Sequence, residues 1–464
     1  MIRIAFVPID NRPICYSFSA DIASISTELE LILPSRSMLG GLNTTANTDG
    51  LFAWLENLKN VDLLILSLDT ITYGGLVSSR RCNETFEEIK KRVEKIAEVI
   101  KKNNIKTYAF SSVMRISNNN VNEEEKLYWN EYGTKLFEYS YKFHEALKNN
   151  TQPDLPNIPK EILSDYLNTR KRNFEINKLY LDLQKDGLFE YLIFSKDDSG
   201  KYGLNVKEAE ELNEKIASLK LNALVKTGAD EIPFTLLSRA FCEFKNIQPK
   251  IYTEYLRPSE IELYSRYEDV SIKASIETQI IASGAKIANS KDECDIILVV
   301  NNFEKEQGEH VFNIPTKNYE ETLEPITKPT FYVDIAYANG ADVDFANKVL
   351  LFANERNFLG YSAWNTTSNT VGSAITLALV KNFSTVNDNN FKRSQFIRFM
   401  DDYAYQAICR KVIKNKGFST DLEILKEEML PYAEKISGKI NYKPNSLDFT
   451  YPWNRSFEVE IITD

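Results

Sequence analysis

Five stretches of the chain read as short buried strands, and each runs straight into an acidic residue. Ile4–Ile9 leads into Asp10, Leu63–Leu68 into Asp69, Leu192–Lys196 into Asp197 and Asp198, Ala223–Ala229 into Asp230 and Glu231, and Phe331–Val333 into Asp334. Ligands of α/β proteins sit outside the carboxyl ends of the strands, so a repeated strand-then-acid pattern points to carboxylates gathered at one pocket. The chain has only two histidines, His144 and His310, which leaves proton transfer to carboxyl groups. Adjacent acids repel, which raises one pKa and separates a general acid from an ionised neighbour. Asp197 and Asp198 are the candidate catalytic pair, with Asp230 and Glu231 in reserve. The competing reading is structural: Asp230 and Glu231 precede Pro233 as acids of a first helical turn do, and Asp342 suits a helix N-cap.

Polar groups suited to holding a substrate recur beside these acids. Asp10, Asn11 and Arg12 combine a carboxylate, an amide and a guanidinium ahead of Pro13, which pushes Arg12 toward an extended conformation. Asp69 opens a stretch through Tyr73, the Gly74–Gly75 pair and Arg80. It matches neither a phosphate-binding Walker loop nor a dinucleotide fingerprint. Asn339 follows Asp334, Trp364 and Asn365 follow the last strand, and Trp453, Asn454 and Arg455 lie near the C-terminus. Aromatic faces with amides and guanidinium groups suit sugar rings and their hydroxyls.

These side chains need elements to carry them. Strands are expected at 2–8, 29–33, 62–68, 106–113, 190–195, 222–227, 249–254, 294–300, 330–335 and 357–362, more than a simple barrel uses. Helices are expected between them, as at Glu84–Lys102, where Phe86, Ile89, Val93, Ile96 and Ile100 share one face. Alternating strands and helices imply a mostly parallel sheet. The expected class is α/β: a (β/α) barrel-like half over 1–246 with a helical insertion at 117–189, a smaller α/β domain over 247–385, and a helical extension with a tail over 386–464. One large doubly wound sheet is the alternative. No internal repeat is visible.

The chain has 464 residues and a formal net charge of -10, which disfavours a general binder of nucleic acid or anionic membrane. No run approaches the roughly eighteen apolar residues of a membrane span, and the start lacks the apolar stretch of a signal peptide, so a cytoplasmic location is the expectation. Five dispersed cysteines suit reduced thiols rather than a disulfide framework or a zinc site.

Several of these motifs resemble a bacterial family known only as domain of unknown function 4127. The matching segments are Val7–Pro13, Asp69–Arg80 with its Tyr-Gly-Gly, Gly228–Glu231, Ala336–Asp342, Trp364–Thr366 with Asn369, Asp401–Gln406, and Pro452–Arg455 through Glu458. Family members usually place two Asp before Arg-Pro, where this chain has Asp10 and Asn11. The resemblance implies a shared fold and site and no particular activity.

The residue chemistry favours a carbohydrate-active hydrolase, a glycoside hydrolase with N-acetylhexosaminides among its candidate substrates, acting on a small sugar-like molecule without a cofactor. Two other readings stand beside it. One is a hydrolase or phosphotransfer enzyme whose carboxylates hold Mg²⁺ or Mn²⁺. The other is a sugar- or metabolite-binding protein without catalysis.

Overall fold

The computed structural model describes residues 1–197, 199–417 and 419–464. Strands β1 (Ile2–Val7), β2 (Leu29–Ile32), β3 (Leu63–Ser67), β4 (Lys106–Val113), β5 (Tyr191–Lys196) and β6 (Ala223–Thr227) form a parallel sheet in the order β2-β1-β3-β4-β5-β6. A second parallel sheet holds β7 (Lys250–Tyr255), β8 (Lys286–Ile287), β9 (Ile296–Asn301), β11 (Thr330–Asp334) and β13 (Phe358–Ser362) in the order β13-β11-β9-β7-β8. The short strands β10 (Gly308–Glu309) and β12 (Tyr337–Ala338) pair with each other, and β14 (Leu447–Thr450) with β15 (Glu460–Thr463) makes an antiparallel hairpin in the tail.

Every strand expected from the sequence is present. The closure expected of the first half is not shown: no ladder joins β2 to β6 among the described residues. Successive side chains of a strand point to opposite faces, and here both sets are apolar. Ala5, Val7, Leu64, Leu66, Leu192 and Phe194 share one core with residues of the helices Phe86–Asn103 and Lys160–Lys185. Ile4, Phe6, Ile65, Phe110 and Ile193 share another with the helix Ile232–Lys245. Both faces of the sheet are thus covered, as parallel sheets require.

One of these cores continues into the second half. Val300, Phe331 and Tyr361 belong to the same apolar cluster as Phe6 and Phe110. The helix Thr367–Phe383 lies in this shared core and is buried from Thr367 to Val380. The expected divisions after residues 246 and 385 fall just beyond the helices Ile232–Lys245 and Thr367–Phe383, and one apolar cluster runs across both.

The strand orders reveal a relation that the residues hide. In each sheet the first strand has the second on one side and the third on the other, with later strands added beyond the third. Each sheet therefore has a topological switch point, β1/β3 in the first and β7/β9 in the second, the place at the carboxyl edge where sheets of this kind bind ligands. The insertion supplies the helices Trp129–Asn149 and Lys160–Lys185. The expected helical extension opens with an α-helix (Asp388–Arg398), a π-helical stretch (Phe399–Cys409) and a further α-helix (Arg410–Asn415). No helix among the described residues is long and apolar enough to cross a membrane.

Candidate functional site

The first switch point is built around Arg12. The chain leaves β1 through Pro8 and turns so that Asp10 accepts hydrogen bonds from the Arg12 backbone N–H (2.9 Å) and from its Nε (2.9 and 3.0 Å). A short polar side chain that bonds the backbone two residues on closes such a turn locally. The other end of the guanidinium donates to Asp230 (2.7 and 3.2 Å) and to Glu458 (3.1 Å). Carboxylates 218 and 446 positions away in the chain thus meet on one buried cation. Burial pushes the Asp230 carboxyl up to about 7, against the pull of Arg12 and with help from Asp10. Burial also raises Glu458, and Arg12 and Arg455 oppose that rise.

Trp453 covers this cluster. Its Nε1 donates to Asn11 Oδ1 (2.7 Å), and the Arg12 and Arg455 guanidinium carbons lie 5.1 and 4.6 Å from its ring centroid. Cations at such distances are attracted by the ring face. The tail that carries Trp453 is tied down through its backbone. Tyr405 donates to the Ser456 carbonyl (2.6 Å), and Gln406 and Arg410 both donate to the Phe457 carbonyl (3.2 Å). All three ties come from the π-helical stretch or the residue after it, and π geometry is often found where a helix serves a site.

At the end of β6, Glu231 is completely buried and pairs with Lys226. Its other oxygen, Oε2, has no hydrogen-bond partner among the described residues. Two glycines make the space: a Cβ on Gly228, whose φ is +111°, would collide with the Glu231 carboxylate, and one on Gly372 would collide with Glu231 Cγ. Asn369 accepts from the Glu231 N–H (3.3 Å) and donates to Asn365 (3.2 Å), which links the carboxyl edges of the two sheets. Asp69, after β3, accepts from the Ser112 N–H (2.8 Å), and burial pushes its carboxyl up to about 6 against that bond.

A second ionic cluster adjoins the first through Arg455. Arg80 follows β3, Arg115 follows β4 and Arg455 lies in the tail, and all three reach Glu124 of the insertion, at 3.3, 2.8 and 2.9 Å. Arg80 and Arg115 also pair with Glu125 (3.3 Å each), Arg115 with Asp197 (3.0 Å) and Arg455 with Glu123 (3.6 Å). Burial opposes ionisation of Glu124, yet Arg115, Arg80 and Arg455 together hold it well below the usual carboxylate range.

The site residues expected from the sequence therefore divide. Asp10, Asn11, Arg12, Asp230, Trp453 and Arg455 converge, and Arg80 and Asp197 join through the second cluster. Glu231 and Asp69 lie at strand ends on the same carboxyl edge. Asp198 lies outside the described residues. Tyr73 is buried with Arg172 over its ring 5.6 Å away, and Asn454 is exposed on the tail. Trp364 lines a hollow with Arg398, Asp401 and Glu458, which adjoins the Arg12 cluster through Glu458. Asn339 donates to Glu309 (2.6 Å), a partner outside that cluster. Asp334 is spent inside the second sheet, where it accepts from Asn301 (3.0 Å), the Asp342 N–H (2.7 Å) and Tyr361 (3.1 Å).

The sequence reading does not single out Arg115, Glu124, Glu125, Lys226 or Glu458 as candidate site residues. Arg115 sits just beyond β4, where the strand-end rule could have found it, and Lys226 is a charge inside an apolar strand. Among the described residues no group of three or more His, Cys, Asp or Glu is placed to hold a metal ion. Arg12 occupies the centre of the trio Asp10, Asp230 and Glu458, where a metal cation would sit. That trio does not fit the Mg²⁺ or Mn²⁺ reading.

A family model described as a protein of unknown function, DUF4127, matches residues 4–462. No curated protein matches the chain.

Proposed function

The chain belongs to the DUF4127 family, and from the geometry of its site we propose that it is a carbohydrate-active hydrolase with Asp230 as general acid. The observation that supports this reading is the Asp230 carboxyl, raised to about 7 and sharing Arg12 with Asp10. A general acid works best with a pKa near the working pH. Asp10 and Asp230 each place an oxygen on the same Arg12 nitrogen, at 2.8 and 2.7 Å, so those oxygens are no farther apart than the two distances together. Retaining glycosidases hold their two carboxyl groups roughly 5–5.5 Å apart, leaving no room for a water between them. In this reading Asp230 gives its proton to the leaving oxygen, and Asp10 is the second carboxylate. Asn11, Arg12 and Trp453 position the ring. Asp197, the first choice from the sequence, is engaged by Arg115 and takes a binding role.

The test is a panel of nitrophenyl glycosides, N-acetylhexosaminides included, assayed with the wild type and D230N. Turnover that falls about 10²–10⁴-fold in D230N with binding retained supports the assignment. Binding of a sugar with no product from any substrate supports the non-catalytic reading instead.

A further inference from the structure

We propose that Arg80, Arg115 and Arg455 form a subsite for an anionic substituent of the substrate, a carboxylate or phosphate on a sugar, and that Glu124 fills it in the free protein. The sugar rests on the carbohydrate reading above, and the anion on separate geometry.

Three guanidinium groups from three separate parts of the chain meet on one carboxylate. They meet at the carboxyl edge of the first sheet, the side on which α/β proteins bind ligands. Arginine presents a planar fork of donors that matches carboxylate and phosphate oxygens, and clusters of it mark sites for such groups. A fully sealed ion network would serve the fold alone, but here three of the four side chains reach solvent: Arg115 and Arg455 are 16% and 15% exposed and Glu124 is 22% exposed, while Arg80 is 1% exposed.

Glu124 also belongs to a different kind of structure from its partners. It lies in the irregular stretch between β4 and the helix Trp129–Asn149, within the run Glu123-Glu124-Glu125. Its backbone has ties besides its carboxylate: Arg81, outside the cluster, donates to the Glu125 carbonyl (3.1 Å), and Arg80 to the Glu124 carbonyl (3.3 and 3.4 Å). The side chain can therefore swing toward solvent while the segment stays in place and Glu125 keeps its own pairs with Arg80 and Arg115. An incoming anion then takes the place of the Glu124 carboxylate among the three guanidinium groups, while Glu125, Asp197 and Glu123 keep their own pairs with them. Arg455 ties this subsite to the Arg12 cluster through Trp453, whose ring both guanidinium groups approach, at 4.6 and 5.1 Å. A sugar ring bound against Trp453 would thus carry its anionic group into the arginine cage.

Calorimetric titration of the wild type, E124Q and R455M with D-glucuronate, inorganic phosphate and neutral D-glucose tests this. The expected result is binding of both anions by the wild type and weaker or no binding of glucose. E124Q, which removes the competing charge and keeps the shape, should bind the anions about tenfold more tightly. R455M should lose anion binding. A preference for glucuronate over phosphate would identify a uronate, and the reverse a phosphorylated sugar. Equal anion affinity in wild type and E124Q, no anion binding by either, or glucose binding as tightly as glucuronate overturns the proposal. Because no turnover is read, failure here leaves the hydrolase assignment standing, and an inactive protein that binds anions leaves this subsite standing.

Discussion

The two switch points have the same strand order and opposite chemistry. At β1/β3 the carboxyl edge holds Arg12 with Asp10, Asp230 and Glu458, all side chains in ionic contact, with a half-buried Trp453 above them. At β7/β9 the corresponding polar groups are absorbed by backbone and side-chain amides. Arg257 donates to Asn301 (2.8 Å) and to the Lys317 carbonyl (3.2 Å), with Glu304 as a looser ionic partner at 3.7 Å. Asp342 caps the helix Val343–Val349 and accepts from the Tyr319 N–H (2.6 Å). Burial raises both Asp334 and Asp342 above the ordinary range. Raised carboxyl pKa values thus occur at both carboxyl edges, and they do not by themselves mark a site. What separates the two is whether the partners are ionic side chains or amide groups that cannot be released without unfolding.

Substitutions at matched positions should break that comparison in a graded way. R12M removes the cation shared by three buried carboxyl groups. It should cost about 3–5 kcal/mol in urea unfolding at neutral pH, as stranded buried charges do. R257M strands mainly neutral carbonyls and should cost about 1–3 kcal/mol in the same assay. Equal losses would erase the distinction. D334N puts an amide donor against the donors that now face Asp334. It should lower stability by about 1–3 kcal/mol and leave the kinetics of the folded fraction unchanged. D230N likewise sets an amide against the two Arg12 donors and should cost a similar amount, so the two variants separate in turnover, which D230N loses and D334N keeps.

The smallest expected effect is on the pH dependence of stability. Asp230 binds its proton more tightly folded, at about 7, than unfolded, near 4. The folded state therefore holds more protons between those values, and this group's contribution to stability is present at low pH and declines as pH rises from about 4 to 7. Asp402 and Glu208, also raised to about 7 by burial, have the same sign, so D230N should flatten the slope of urea-derived stability in that window without abolishing it. An unchanged slope in D230N would count against the raised value.

Much of the scaffold is legible in the sequence because parallel strands are apolar on both faces and stand out as short runs. The ends of those runs locate Asp10, Arg12 and Asp230. Which acids share a partner is not legible, since Arg12 meets Asp230 and Glu458 across 218 and 446 positions. Asp334 reads like Asp10 in the sequence, and only the amides around it show that it is occupied. The repeated strand order is hidden because topology survives without matching residues. Glu124 gives no signal beyond a run of three acids, which usually means a solvated loop.

What matters most is that Asp230 keeps its proton up to about neutral pH while it shares Arg12 with Asp10. Carbon-13 NMR of carboxyl-labelled aspartate, with D230N supplying the assignment, reads its protonation directly. A carboxyl titration at about 7 that disappears in D230N is the expected result. An Asp230 signal that titrates near 4, like an ordinary exposed aspartate, would contradict it.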